Sequence, residues 1–241
     1  MRLSITILKD YDSVSREGAD VVAGVIAANP AARVVAAMGD TPQGLYGELA
    51  RRSDAGELDA SGLFVYQLDE YAGVGPEDPR SLAGWLVRSF MRPLRIPPEN
   101  LVLLPRDADS AAYATYDRSI AEAGGYDLVI LGIGPNGHIG FNEPPADGSA
   151  PTRAVALSPA SIASSARYWG SADQVPRRAI TVGIAGLLKA RKMLLLACGS
   201  HKNEIVRRAL LGPVTAEVPA SYLQEADEVT VLLDRAAWNG S

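Results

Sequence analysis

Residues 128–131, Leu-Val-Ile-Leu, are apolar without alternation and run straight into Gly132, Gly134 and Gly137. A strand with one face in water alternates apolar and polar residues. A strand with no polar position is buried on both faces, as in a parallel sheet covered by helices on each side. Met193–Cys198 repeats the pattern. Runs of this kind predict strands at Leu3–Leu8, Val34–Met38, Leu63–Leu68, Leu101–Leu104, Asp127–Leu131, Met193–Cys198 and Glu228–Leu233. Helical periodicity predicts Ser13–Ala28, Thr41–Arg52, Ser81–Arg92, Ala108–Ala123, Val182–Ala190 and Ser200–Leu211.

Strand and helix alternate along nearly the whole chain. That order argues for an α/β fold, a single Rossmann-like domain over residues 1–241 with a mostly parallel sheet flanked by helices. Pro151 to Pro176 breaks the pattern. It reads either as a lid or excursion over the active site, or as a pair of poorly patterned helices.

Composition narrows the function classes. A net charge of −5 argues against a general nucleic-acid or acidic-membrane binder. An anionic small substrate would therefore need local cations. No run reaches the ~18 apolar residues of a membrane span, and the start MRLSITILKD is not a signal peptide. The single cysteine, Cys198, allows no internal disulfide and suits a reducing, cytoplasmic setting. It ends an apolar run and reads as a small buried hydrophobe rather than a nucleophile. Two histidines and one cysteine, widely separated, give no zinc-ligand spacing.

Polar clusters follow four of the expected strands. Met38-Gly39-Asp40-Thr41-Pro42 precedes a helix, with Thr41 as expected N-cap and Pro42 at the first helical position. Free amides at such a helix start bind phosphate. Gln67-Leu68-Asp69-Glu70-Tyr71 sets two carboxylates at a strand end, where one can act as a general base; the alternative is an acidic turn facing water. His138, Asn142 and Glu143 share one loop behind the glycines, and an imidazole beside a carboxylate is an acid/base arrangement. Gly199-Ser200-His201-Lys202 sets a lysine at a helix start, against the helix dipole, which an anionic ligand would explain. His201 reads as a surface residue, and Arg167 as a further cation. Gly132-x-Gly134-x-x-Gly137 fits a dinucleotide fingerprint only in spelling. Pro144-Pro145 and Asp147-Gly148 break the helix that the fingerprint needs, and no acidic ribose ligand follows.

Taken together, these segments resemble the glucosamine-6-phosphate deaminase (isomerase) family, sister to the 6-phosphogluconolactonases, over nearly the whole chain. MGDTPQGLY resembles the family's phosphate loop, LDEYAGVGPEDPRS the segment of its catalytic base, GIGPNGHIGFNEP its signature, and ACGSHK its phosphate-binding lysine. The ending Phe141-Asn142-Glu143-Pro144 has the deaminase form; the lactonases have a Ser-Leu-Phe-Pro type ending. The resemblance implies that Asp69 moves a proton from C2 to C1 of an open-chain aldose phosphate. It implies that His138, oriented by Glu143 with Asn136 as third member, opens the sugar ring. Gly39, Asp40, Thr41, Glu70, Gly137, Arg167 and Lys202 are then substrate-binding residues, with Arg167, Lys202 and the Gly39–Thr41 backbone on the phosphate. The partner is a small phosphosugar, with no nucleic acid, no membrane, no metal and no cofactor; a homo-oligomer is allowed.

The chain departs from the family pattern where the resemblance expects an aspartate at Asn136, a small residue at Asp40, and His and Tyr at Asp78 and Leu82. A longer C-terminal tail of regulated members is also missing. A carboxylate at Asp40 repels phosphate unless it points away. These departures imply either a changed substrate or an attenuated deaminase. Two alternatives stay open beside the deaminase reading: a 6-phosphogluconolactonase-type hydrolase and a non-catalytic phosphosugar-binding protein.

Overall fold

The computed structural model describes residues 2–106 and 109–239. In chain order the elements are β1 (Arg2–Leu8), α1 (Tyr11–Ala28), β2 (Arg33–Ala36), α2 (Gln43–Asp54), β3 (Phe64–Gln67), β4 (Asp69–Tyr71), α3 (Leu82–Leu86), β5 (Leu101–Val102), α4 (Ser110–Glu122), β6 (Leu128–Leu131), β7 (Arg153–Ala156), α5 (Pro159–Trp169), β8 (Arg178–Thr181), α6 (Ile184–Leu187), β9 (Met193–Ala197), α7 (Asn203–Leu211), β10 (Glu228–Asp234) and α8 (Arg235–Asn239). The main sheet has seven strands in the order β1-β10-β9-β6-β2-β3-β5, and every neighbouring pair is parallel.

The unalternated strands are buried on both faces, as their composition requires. Val35, Val129, Leu131 and Leu195 face one side, against Tyr113, Tyr116 and Ile120 of α4 and Ile205, Val206 and Ala209 of α7. Val34, Ala36, Leu128, Ile130, Leu194 and Leu196 face the other, against Val14, Val22 and Ile26 of α1 and Leu45, Tyr46 and Leu49 of α2. Each fully buried Val, Leu or Ile contributes roughly 1.5–3 kcal/mol. These two faces therefore hold the strand ends, and the loops on them, in place.

Local chemistry sets the boundaries. α1 starts earlier than the apolar periodicity predicts, because the Asp10 carboxylate accepts the Ser13 amide proton at 2.9 Å and caps the helix. The expected helix at Ser81 is capped by its own hydroxyl, which accepts from the Gly84 amide at 3.0 Å. It continues as a π-helical turn over Val87–Met91. The helix expected from Ala108 runs over Ser110–Glu122, and Ala108 itself lies outside the described residues.

The largest departure is at Pro151 to Pro176. The stretch forms strand β7, helix α5 and a short 3-10 turn, Ala172–Gln174. β7 and β4 flank β8 in a separate antiparallel sheet that the sequence pattern did not reveal. The strands are only three or four residues long, and β7 buries no side chain fully, so no period-2 signal exists. Helix α5 is rich in serine and alanine and buries only Ser161, Ser165 and Trp169. The expected helix Val182–Ala190 shrinks to Ile184–Leu187, because Val182 extends the path of β8 and its amide donates to the Leu68 carbonyl at 2.9 Å. A small apolar cluster of Tyr71, Leu82, Phe141, Leu157, Trp169 and Ala179 seats α5 on this second sheet.

Candidate active site

From β2 the chain builds outward to β3 and β5, then returns to lay β6 on the other side of β2 and builds on to β9 and β10. The direction of growth reverses between β2 and β6, and open α/β sheets bind ligands in the crevice at that reversal. The polar clusters follow β2, β3, β6 and β9, which are contiguous in the sheet. They come together because their strands are neighbours. A cavity of about 190 Å³ lies there, and Gly39, Asp40, Thr41, Asp69, His138, Arg167 and Lys202 all line it. Asn136, Gly137, Glu143 and Glu70 stand behind this wall.

The loop after β2 turns at Gly39, whose φ of +133° only glycine adopts readily. The expectation that Thr41 caps α2 needs correction. Thr41 and Pro42 lie in a turn closed by the Gln43 amide on the Asp40 carbonyl at 3.2 Å, and Pro42 holds the cap position in a helical conformation. No side chain of the loop itself caps the helix. The hydroxyl of Tyr11, from α1, accepts the Gly44 amide at 2.7 Å instead.

The two adjacent carboxylates take opposite roles, because successive strand residues point to opposite sides. Glu70 is 1% exposed. Its oxygens accept from the amides of Tyr71 at 2.9 Å and of Leu82 and Ala83 at 3.0 Å, and from Gln67 Nε2 at 2.9 Å. Four donors fill the acceptor sites of one carboxylate. Glu70 therefore anchors the first turn of α3 rather than contacting a ligand, which corrects its expected substrate-binding place. Asp69 is 9% exposed and faces the cavity. Burial, reinforced by the charge of Glu70, pushes its carboxyl up to about 8. Neither residue forms an acidic turn in water.

His138 packs on backbone that lacks a side chain. A Cβ on Gly134 would come within 2.2 Å of the imidazole, so glycine is required there. Glu143 Oε2 lies 3.6 Å from His138 Nδ1. Burial pushes Glu143 up, but contacts with His138, Ser161 and Asn136 outweigh it and hold the carboxyl down at about 2. Asn136 donates to Glu143 Oε2 at 2.8 Å and to Ser158 Oγ at 3.2 Å, and accepts from the His138 amide at 3.2 Å. A carboxylate at Asn136 would face Glu143 with like charge; the amide donates instead. Gly137 has a φ of +87°, and a Cβ there would stand 2.9 Å from Val218 Cγ1. It is a joint behind the site, not part of the cavity wall.

Two cations converge on the opposite end. Lys202 ends the 3-10 turn Ser200–Lys202 before α7, and its Nζ donates to the Ile133 carbonyl at 2.7 Å. Burial, and then the nearby Arg167 charge, lower its pKa. Arg167, from α5, is mostly exposed and pairs with Asp40 Oδ2 at 2.6 Å. Tyr168 donates to Asp40 Oδ1 at 2.7 Å. Asp40 thus reaches across the cavity mouth to α5. Asp78 pairs with Arg80 at 2.7 Å away from the cavity, and Leu82 lines it. His201 is exposed. The Cys198 thiol is pushed up to about 12, chiefly by burial, which leaves it inert as a nucleophile.

Sequence reasoning missed Trp85, Phe141, Ser164, Ser165 and Tyr168, which line the cavity, and Ser158 and Ser161 behind it. Serines scattered in a Ser/Ala-rich segment carry no local signal. Among the described residues, no group of three or more His, Cys, Asp or Glu is placed to hold a metal ion, and no helix is long and apolar enough to cross a membrane.

The burial of Asp69 has a consequence for stability. Its folded carboxyl, pushed up to about 8, holds a proton that the unfolded chain, near 3.8, has released. The native state binds more protons between those values, so stability falls as pH rises through that window. Asp69→Asn is expected to be more stable than the parent at pH 8, on the order of a few kcal/mol, and nearly equal at pH 4. Denaturant unfolding at the two pH values measures this; an equal difference at both would remove the proton linkage.

Comparison with known proteins places the chain in a family. The family model described as glucosamine-6-phosphate isomerases/6-phosphogluconolactonase matches residues 11–232. A glucosamine-6-phosphate deaminase of Rhodopirellula baltica is 41% identical over 237 residues, spanning 98% of this chain and 94% of that protein. The solved structure of a monomeric glucosamine-6-phosphate deaminase superposes with a TM-score of 0.92 at 35% identity, covering 98% of each chain. A 6-phosphogluconolactonase of Leishmania guyanensis shares the fold, with a TM-score of 0.77 at 20% identity over 98% of each chain. The chain belongs to the glucosamine-6-phosphate isomerase/6-phosphogluconolactonase family.

Proposed function

We propose that this chain is an amino-sugar phosphate isomerase-deaminase that converts glucosamine-6-phosphate to fructose-6-phosphate and ammonia, with residues 1–241 acting as one domain. The observation that carries the reading is Asp69, a buried carboxylate that faces the cavity while its neighbour Glu70 is fully engaged elsewhere. A carboxyl so placed, with its pKa raised toward neutrality, suits proton abstraction from a carbon acid. Hydrolysis of a lactone offers Asp69 no carbon acid to deprotonate.

The geometry supports the following steps. His138, held by Glu143, takes the proton of the C1 hydroxyl and passes it to the ring oxygen; the bond from C1 to the ring oxygen breaks and the sugar opens to its aldehyde form. Asp69 takes the C2 proton; the C2–H electron pair forms a C1–C2 double bond as the aldehyde oxygen takes up a proton. Return of a proton from Asp69 to C1 leaves a C2 iminium. Water adds at C2 and ammonia departs, giving the ketose. A raised carboxyl pKa matches this task, because a base works best with a pKa near the working pH. Lys202, Arg167 and the amides of the Gly39 loop hold the phosphate and fix C1 and C2 against Asp69, which raises the effective concentration of the reacting groups.

Asp40 and Asn136 then acquire physical meaning. Asn136 supplies Glu143 with a hydrogen bond instead of a second charge. Asp40 occupies Arg167, so phosphate competes with it for the guanidinium.

The direct test is a panel of hexose and hexosamine phosphates and 6-phosphogluconolactone, with ammonia, ketose and free acid assayed separately. The expected result is equal ammonia and fructose-6-phosphate from glucosamine-6-phosphate. Lactone hydrolysis without ammonia would overturn the reading. The Asp40–Arg167 pair is largely exposed, and such pairs are worth about 0.2–1 kcal/mol. Asp40→Asn is accordingly expected to lower KM for the phosphosugar by about two- to fivefold. A raised KM would mean that Asp40 assists binding.

A further inference from the structure

We propose that Ser161 is a positioning residue for His138: its hydroxyl accepts the imidazole Nδ1 proton beside the Glu143 carboxylate and fixes the ring's tautomer. The inference deepens the deaminase reading and rests on it for its kinetic part. The direct separation of Glu143 Oε2 from His138 Nδ1, 3.6 Å, exceeds hydrogen-bond length. Ser161 Oγ stands 3.1 Å from the same nitrogen. The serine is 1% exposed, so no bulk water competes for its hydroxyl.

Proton accounting decides the direction of the Ser161–His138 contact. The two amide protons of Asn136 go to Glu143 Oε2 at 2.8 Å and Ser158 Oγ at 3.2 Å. Ser158 Oγ also accepts the Ser161 amide proton at 3.2 Å, as the N-cap of α5. Its own proton is then directed to Ser161 Oγ, 3.3 Å away. Ser161 Oγ accepts that proton and one more. Nδ1–H fills that second place at 3.1 Å and at the same time turns its positive end toward the ionised Glu143 carboxylate, 3.6 Å away. The reverse tautomer turns an unprotonated Nδ1 toward a carboxylate, lone pair to negative charge. Nε2, the nitrogen nearest Gly134 on the cavity side, is then the one that exchanges a proton with substrate.

The arrangement ties the acid/base pair to α5. The same helix carries Ser161 in its first turn and Arg167 near its end. Loss of the Ser161 hydroxyl leaves the Ser158 cap and the Arg167 end of the helix in place. A hydroxyl serving only the helix would therefore leave the imidazole and turnover untouched.

The test uses the two-histidine content of the chain. In ¹⁵N-histidine-labelled protein, the His138 signals at a pH where the ring is neutral are expected to report a proton on Nδ1. In Ser161→Ala they are expected to report a mixture of tautomers, with the exposed His201 unchanged. Turnover of glucosamine-6-phosphate in the variant is expected to fall about 10- to 100-fold, with KM within about threefold of the parent. A proton on Nε2 in the parent, an unchanged tautomer in Ser161→Ala, or an unchanged kcat overturns the proposal. The tautomer is read on the free protein. Absence of ammonia from the parent would sink the deaminase reading and leave the tautomer result standing.

Discussion

Burying an ionised carboxylate costs several kcal/mol unless donors meet its oxygens. Glu70 meets that condition with three backbone amides and one side-chain amide, drawn from β4 itself, from the start of α3 and from Gln67 on β3. The anchor locks β4 to α3 and fixes the path of the chain between them. It also sets a fixed charge behind Asp69. The next carboxylate along the strand is forced to the other side, where no comparable set of donors exists. The same constraint that makes Glu70 inert leaves Asp69 facing the cavity with its carboxyl pKa raised.

Helix α5 distributes this chemistry across the cavity. Its first turn meets His138 and Glu143 through Ser158 and Ser161. Its last turn meets Asp40 through Arg167 and Tyr168. Tyr71, next to the carboxylates, donates to Ser165 at 3.0 Å and packs its ring on Trp169, with centroids 5.1 Å apart. The His138–Glu143 pair, the strand bearing Asp69 and the Asp40–Arg167 pair are therefore all tied to one helix. A change that tilts α5 will alter all three.

The parallel sheet was legible because its signal is strong: wholly apolar runs such as Leu128–Leu131 have no other comfortable place. The convergence of the four loops was legible for the same reason, since each follows a recognisable strand. The second sheet was not. Its strands are too short for periodicity, and only Leu68 separates the end of β3 from the start of β4, so the pair reads as a single run. The division of labour between Asp69 and Glu70 was also hidden, because a sequence gives adjacent acids without telling which side each faces. Asp40 was expected to repel phosphate unless turned away; only the position of α5 reveals that Arg167 takes up its charge. Ser161 left no trace, because its partner is a histidine on a distant loop.

The central claim, that Asp69 moves a proton between two carbons, is tested most directly by turnover of glucosamine-6-phosphate in deuterated water. The parent is predicted to place solvent deuterium at C1 of the ketose and to exchange the C2 hydrogen of the substrate. Asp69→Asn is predicted to do neither while binding the phosphosugar within about tenfold of the parent. Exchange at the parent rate in Asp69→Asn would contradict the account.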